Sequence, residues 1–200
     1  VPGDRAGTAA AQAQEPKASN KASAISMTLL SPMTEAEFSA YLEAAIPEFA
    51  RDKVASGQWA EASAFELSRQ GYAELLPLGL STPDNHLYTI RHDGAAVGMV
   101  WFAAQERAAE SIAYVYDVLI DSQHQRRGHA TRAFAALEEE VARLGLSGIA
   151  LHVFAHNAGA LALYRRLGFQ ATNINMFKRI RQVGAGLAAG SRSPGVNRVV

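Results

Sequence analysis

The apolar residues in the first part of the chain recur at spacings that predict one short strand followed by helices. Residues 27–30 form an apolar run with the length of a short strand. Thr34 and Glu37 have the spacing of a capping box, which predicts the start of a helix. Proline is common in the first turn of a helix and glycine often follows the last, so we expect further helices over residues 47–57 and 59–76.

After residue 85 the pattern changes from helical spacing to the composition of strands. Residues 86–90 and 96–104 flank Asp93-Gly94, a dipeptide typical of hairpin turns. Residues 111–121 predict a long strand rich in Ile, Val and Tyr. The elements expected after it are a helix over 130–144, a strand over 149–154, a helix over 158–167 and a strand over 169–178.

This order of elements predicts an α/β or α+β domain with a mixed sheet. The two ends of the chain, residues 1–26 and 182–200, are rich in small and polar residues and show no sustained apolar period. Such segments cannot bury enough surface to offset the entropy lost on ordering. We therefore expect one domain over residues 27–181, between a disordered leader and a disordered tail.

Charge and cysteine content narrow the classes of function. Lys and Arg number 19, as do Asp and Glu, so the chain lacks the broad positive field of nucleic-acid binding, and no nucleic-acid partner is expected. With 0 Cys, a thiolate nucleophile and a Cys-ligated metal are excluded. No apolar run reaches the roughly 20 residues that span a bilayer, and the first residues lack the apolar h-region of a secretory signal, so we expect a cytoplasmic protein without a membrane partner.

Residues 125–130 lie where a predicted strand is followed by a predicted helix. Such a junction directs free backbone N–H groups and the positive end of the helix dipole toward one point, which suits a phosphate. Gly128 would let the backbone approach an anion closely, and Arg126 and Arg127 would add charged donors. The alternative is a surface helix start with two solvated arginines, and this segment alone does not decide between them.

The residues that follow extend this motif. Gln125-x-x-Gly128-x-Ala130 precedes a long helix and a strand, and the residues that complete the pattern are Asn157, Ala160, Leu163-Tyr164 and Gly168-Phe169. The pattern resembles the GNAT superfamily of N-acetyltransferases, over about residues 27–179. The segments 151–157 and 172–176 are similar to a bacterial branch whose members are generally known only as N-acetyltransferases. The resemblance therefore implies an activity without naming a substrate.

The resemblance implies the GNAT fold, a mixed, mostly antiparallel sheet flanked by helices. Two of its central strands splay apart, and the pantetheine arm of acetyl-CoA lies in the gap. The backbone of Val118, Leu119 and Ile120 would then bond the pantetheine amides. The cofactor pyrophosphate would lie on the turn, formed by Arg126, Arg127, Gly128, His129, Ala130 and Thr131. Ala130 departs from the family, which more often has Gly there.

The resemblance also implies roles for two polar residues near the last predicted helix. Asn157 matches a residue that contacts the pantetheine arm, although Asn is also a favoured N-cap residue. Tyr164 matches a tyrosine that serves as general acid toward the departing CoA thiolate, although a core aromatic on the same helix is the alternative. Both alternatives stay open.

The attacking amine must lose a proton to a base, directly or through water. His152 and Asp117 are the candidates. The ordinary pKa of His, about 6.5, suits this role, but a lone His on a strand is often structural. In the ribosomal-protein-acetylating branch a glutamate stands at the position matching His152. Asp117 would alternatively bind the substrate ammonium or a water.

His152 and His156 straddle a strand end without a nearby carboxylate, so no metal is expected.

Together these features predict an enzyme that transfers acetyl directly from acetyl-CoA, its co-substrate, to a primary amine of a small molecule or peptide. A non-catalytic acyl-CoA-binding regulatory module is the alternative, and it would not need Tyr164. A nucleotide-binding domain is disfavoured because no Gly-x-Gly-x-x-Gly or Walker sequence follows a strand.

The sequence leaves open which acceptor is used and whether the protein forms a homodimer. The aromatic candidates for an acceptor pocket, each also suited to the core, are Trp59, Tyr72, His86 and Trp101.

Overall fold

The computed structural model describes residues 27–107, 110–176, 178 and 198–199. One sheet runs through it in the spatial order β1-β2-β3-β4-β5, with β6 beside β4. The strands β1 to β4 pair antiparallel, whereas β5 and β6 both run parallel to β4. The predicted mixed, mostly antiparallel sheet is thus confirmed. The strands are β1 (Thr28–Pro32), β2 (Asn85–His92), β3 (Ala95–Arg107), β4 (Glu110–Ile120), β5 (Ile149–Leu151) and β6 (Arg198–Val199).

Four helices cover the two faces of this sheet. They are α1 (Glu35–Ala55), α2 (Glu61–Leu75), α3 (His129–Arg143) and α4 (Ala158–Arg166). On one face, α3 and α4 contribute Phe134, Leu137 and Tyr164 to a core shared with the sheet. On the other face, aromatic side chains of α1 and α2 pack around Trp101 of β3. Alternate residues of β3 and β4 therefore enter two separate cores.

The helix α1 begins at the predicted capping box and continues through Pro47. Thr34 Oγ1 accepts from the Glu37 N–H at 3.3 Å, and Glu37 Oε2 accepts from the Thr34 N–H at 2.9 Å. The predicted break at Pro47 is wrong, because Ala45 and Phe49 on either side of it are 0% and 2% exposed and hold one continuous helix against the core. Together with the buried Phe38 and Tyr41 of the same helix, they offset a penalty of about 3 kcal/mol for a proline within a helix.

A β-bulge interrupts the pairing of β3 with β4. Trp101 is level with Asp117 and Phe102 with Val115, which leaves Tyr116 as the extra residue. On its other side β4 pairs with β5 only over residues 113–115. The predicted strand over 149–154 is accordingly shorter, ending at Leu151. Beyond the bulge, β4 and β5 are no longer paired.

The strand expected over residues 169–178 is absent from the part of that segment that the structure describes, residues 169–176 and 178. Ile174 and Met176 are 79% and 93% exposed, so no burial of apolar side chains favours strand geometry there. Within the expected disordered tail, Arg198–Val199 is described and pairs with β4. The leader lies outside the described residues, and both assignments of disorder stay predictions.

Candidate active site

The edge of β4 beyond the bulge exposes backbone groups of alternate residues. The Asp121 N–H donates to the Val97 carbonyl of β3 at 3.0 Å. A Cβ at Gly98 would lie 2.0 Å from the Leu119 carbonyl oxygen, so Leu119 also faces β3. Since backbone groups alternate between the two sides of a strand, Val118 and Ile120 face the other side, toward the gap. Of the three residues predicted to bond pantetheine, Leu119 is therefore turned away.

This gap accommodates an extended chain. Val118 is level with Val199 of β6, which runs parallel to β4 there. The Ile120 carbonyl, two residues on, accepts a hydrogen bond from Gln125 Nε2 at 2.9 Å. An extended molecule with amide groups can therefore add to this edge as a further strand does.

The turn after β4 combines left-handed backbone with the open start of α3. Arg126 has a φ of 61° and Gly128 a φ of 78°. A non-glycine residue in this region is uncommon and costs about 1–3 kcal/mol, so the turn is a specific feature of the fold. Gly128 is the N-cap of α3, and no side chain caps the helix there. The N–H groups of the first helical turn are thus available to an anion.

Arg132, which the sequence analysis did not single out, braces this turn from within α3. Its Nη2 donates to the Arg127 carbonyl at 2.8 Å, and its Nε donates to Thr28 Oγ1 of β1 at 3.2 Å. A Cβ at Gly128 would lie 3.0 Å from Arg132 Nη1. Its position four residues after Gly128, on the same helix face, was the signal for this role.

The side chain of His129 is part of the support for the turn. It is 4% exposed, and its Nδ1 lies 3.1 Å from Arg132 Nη2. Burial, and then the neighbouring His92, lower the pKa of His129. The imidazole is therefore neutral near pH 7, so of this residue the backbone N–H is the group that suits a phosphate. Arg126, Arg127 and Thr131 are exposed beside it, whereas Ala130 is half-buried.

Tyr164 carries a buried hydroxyl with no hydrogen-bond partner among the described residues. The residue is 3% exposed, and its ring lies edge-on to Phe134 and Phe169, with centroids 5.6 and 5.3 Å away. Burial, and then the charge of Asp117, raise the pKa of Tyr164 well above its ordinary value. The hydroxyl thus stays protonated at neutral pH, as a general acid must.

Asp117 lies on the opposite face of the sheet, where α1 and α2 enclose it. It is 0% exposed, and its Oδ2 accepts from the Tyr41 hydroxyl at 2.9 Å. The Tyr72 hydroxyl lies 3.5 Å from that of Tyr41. Burial, and then Asp117, strongly raise the pKa of Tyr41, so the tyrosine remains the donor. Direct contact between Asp117 and an acceptor is blocked, and a proton would reach this carboxylate only through a relay.

His152 and Asn157 lie in the connection between β5 and α4. His152 directly follows β5, is exposed, and lies edge-on to Phe154 with ring centroids 5.5 Å apart. Desolvation, and then the charge of Lys53, lower the pKa of His152. Asn157 is the N-cap of α4, and its Oδ1 accepts from the Ala160 N–H at 3.0 Å. The capping role of Asn157 is thus confirmed, and its contact with a cofactor stays a prediction.

The four aromatic candidates for an acceptor pocket are separated by the fold. Tyr72 and Trp101 are 2% and 0% exposed and belong to the core. His86 stacks on Phe102, with ring centroids 4.8 Å apart, in the strand pair β2–β3. Trp59 alone among them lies beside Lys53, a buried cation that the sequence analysis missed.

Family, relatives and a solved structure agree on the class of protein. The model of the Acetyltransferase (GNAT) family matches residues 42–169. Two Bacillus subtilis (strain 168) proteins, both described as uncharacterized N-acetyltransferases, are similar. YycN is 36% identical over 153 residues, which cover 76% of this chain and 98% of YycN. YdgE is 35% identical over 152 residues, which cover 76% and 97%.

The crystal structure of YycN from Bacillus subtilis matches with a TM-score of 0.74 at 35% identity, over 78% of this chain and 100% of that one. The chain therefore belongs to the GNAT family of acetyltransferases, and it is an N-acetyltransferase. This confirms the resemblance and the predicted class of enzyme.

Among the described residues, no group of three or more His, Cys, Asp or Glu side chains is arranged to hold a metal ion. No helix within the described part of the chain is long and apolar enough to cross a membrane.

Proposed function

We propose that this enzyme binds acetyl-CoA and transfers the acetyl group directly to a primary amine of a small molecule or peptide. The observation that carries the proposal is the β4 edge beyond the bulge, where Val118 and Ile120 turn their backbone groups toward a gap. This edge leads within a few residues to a turn with open N–H groups. An extended arm that ends in a pyrophosphate fits both features at once.

The pantetheine arm would add to β4 as a further strand, bonded to the backbone of Val118 and Ile120. The pyrophosphate would accept from the N–H groups at the start of α3, residues 128–131, with Arg126 and Arg127 as nearby charged donors. Arg132 would act as a positioning residue, because its guanidinium donates to the Arg127 carbonyl and so holds the turn in place.

In the transfer step, the amine nitrogen forms a bond to the thioester carbonyl carbon and the carbon–sulfur bond breaks. Tyr164 would give its proton to the departing thiolate, as the buried hydroxyl has no other partner among the described residues. The amine's proton would pass to His152, whose lowered pKa leaves it neutral and whose side chain reaches solvent. Asp117 is the second candidate base, through a relay that includes Tyr41.

Calorimetric titration with acetyl-CoA tests the binding part of this proposal. In Gly128→Glu a carboxylate would stand among the phosphates, and the left-handed backbone would be strained, so we expect binding to be lost. Gly94→Glu is the matched control, because Gly94 has a similar φ of 83° in the exposed β2–β3 turn, with open space around its Cβ position. If Gly128→Glu bound acetyl-CoA as tightly as Gly94→Glu and the wild type do, the turn would not be part of the cofactor site.

A further inference from the structure

Lys53, in the last turn of α1, carries an ammonium group enclosed by aromatic rings. The residue is 7% exposed. Its Nζ lies 5.1 Å from the ring centroid of Phe49, 5.6 Å from that of Trp59 and 5.7 Å from that of Phe154. It donates one hydrogen bond, 2.8 Å long, to Gln58 Oε1. These contacts join α1, the α1–α2 connection and the β5–α4 connection at one corner.

This cation lacks a counter-charge within the described part of the chain. None of the ion pairs found there, at distances up to 4.0 Å, includes Lys53. An ammonium has three N–H donors, and Gln58 accepts from one. Aromatic faces attract a cation by about 0.5–2 kcal/mol but bring no negative charge. Burial lowers the pKa of Lys53, and since buried charges in proteins are normally paired, an anion beside the ammonium would stabilise its charged form.

The position of Lys53 connects it to the proposed transfer. Phe154, whose ring contacts the ammonium, also lies edge-on to His152. Lys53 is the charged group that lowers the pKa of His152, after desolvation. His152 is exposed, so this corner borders solvent beside a candidate base for the acceptor amine. A second cationic group on an acceptor would be repelled here, whereas an anionic group would be attracted.

We propose that Lys53 binds an anionic group of the acceptor, so that the enzyme prefers small amines that also carry a carboxylate or a phosphate. The inference rests on the proposed function, because it takes the acceptor amine to be deprotonated near His152. An anionic oxygen at Lys53 would supply the missing counter-charge and accept from the remaining N–H donors. Carboxylates and phosphates share this chemistry, and matched substrates separate them.

The experiment compares pairs of acceptors that differ in one charge: leucine with leucinamide, and O-phosphoethanolamine with ethanolamine. For each pair the ratio of kcat/KM, anionic over neutral, is measured in the wild type, Lys53→Met and Lys53→Arg. Comparing one pair across variants cancels the intrinsic reactivity of each amine. We expect the ratio to fall about 10-fold or more in Lys53→Met for the favoured pair, and to be largely kept in Lys53→Arg.

An unchanged ratio in Lys53→Met for both pairs would overturn the inference. Acetyl-CoA affinity, measured by calorimetry, serves as the check that each variant is folded. Should Lys53→Met not fold, the wild type alone decides: N-acetylleucine should inhibit more strongly than N-acetylleucinamide, and equal inhibition contradicts an anion site. If acetyl-CoA does not bind the wild type at all, the proposed function has failed rather than the role of Lys53.

Discussion

Two buried tyrosines lie on opposite faces of β4, and their hydroxyl groups differ in hydrogen bonding. On the α1/α2 face, Tyr41 is 7% exposed and donates to Asp117 at 2.9 Å. On the α3/α4 face, Tyr164 is 3% exposed and its hydroxyl has no hydrogen-bond partner among the described residues. A buried hydroxyl without a partner costs about 1–3 kcal/mol. The Tyr41 hydroxyl thus stabilises the fold, whereas the Tyr164 hydroxyl is available as a donor to a ligand.

Removing the Tyr164 hydroxyl should have the largest effect on activity. Tyr164→Phe keeps the ring against Phe134 and deletes the proton donor, so we expect kcat to fall by about 10²-fold or more. Acetyl-CoA affinity should stay nearly constant, because the ring packing is unchanged. Steady-state kinetics with a good acceptor, together with calorimetry, measure both quantities. An unchanged kcat would mean that Tyr164 has only a structural role.

The same substitution on the other face should act on stability. Tyr41→Phe leaves a buried carboxylate oxygen of Asp117 without its donor, and should lower the free energy of unfolding by about 1.5–3 kcal/mol. Tyr164→Phe should leave that free energy unchanged or raise it. Urea denaturation of both variants makes the comparison. If Tyr164→Phe were the more destabilising of the two, its hydroxyl would have a structural partner and the contrast between the faces would be wrong.

The pH dependence of the rate distinguishes the two candidate bases. A base must be deprotonated, so the rate should rise with pH through the pKa of His152, which is lowered from its ordinary value of about 6.5. In His152→Gln that acidic limb and most of the activity should be lost. Asp117→Asn is the matched variant at the second candidate base. Survival of the limb in His152→Gln, at a pH that follows the acceptor's own pKa, would mean that the enzyme captures the neutral amine without this base.

The smallest effect is expected from removing residues 182–200. Arg198–Val199 pairs with β4 at Asp117 and Val118, along the edge proposed for pantetheine. A chain of residues 1–181, which lacks only this tail, should therefore bind acetyl-CoA at least as tightly as the full chain. Calorimetry on the two chains tests this. Weaker binding by the shorter chain would mean that the tail supports the cofactor site rather than competing for it.

The features that could be predicted from the sequence are those that depend on residues close together along the chain. The capping box at Thr34, the hairpin turn at Asp93-Gly94 and the turn before α3 are each encoded within a few residues, and the structure has all three. The path of α1 through Pro47 depends instead on burial of Phe49 against the sheet. No local rule contains that contact, so the predicted break was wrong.

The same limit applies to the site. Residues of the turn and of α4 follow one another at family spacing, so they could be proposed as site residues from the sequence. The hydrogen bond from Tyr41 to Asp117 joins segments that are 76 residues apart, and the aromatic enclosure of Lys53 joins segments that are more than 100 residues apart. Their side chains show no special spacing along the chain. Only the folded sheet, which brings α1 beside the bulge and the end of β5, creates these two clusters.

The most direct test of the proposed cofactor site is amide hydrogen exchange at β4, resolved by residue with NMR, with and without acetyl-CoA. The Ile120 amide faces the gap and lies beyond the residues that β6 pairs, whereas Leu119 faces β3 in both states. We expect acetyl-CoA to slow exchange at Ile120 markedly and to leave Leu119 nearly unchanged. Saturating acetyl-CoA that leaves Ile120 exchange unaltered would contradict binding along this edge.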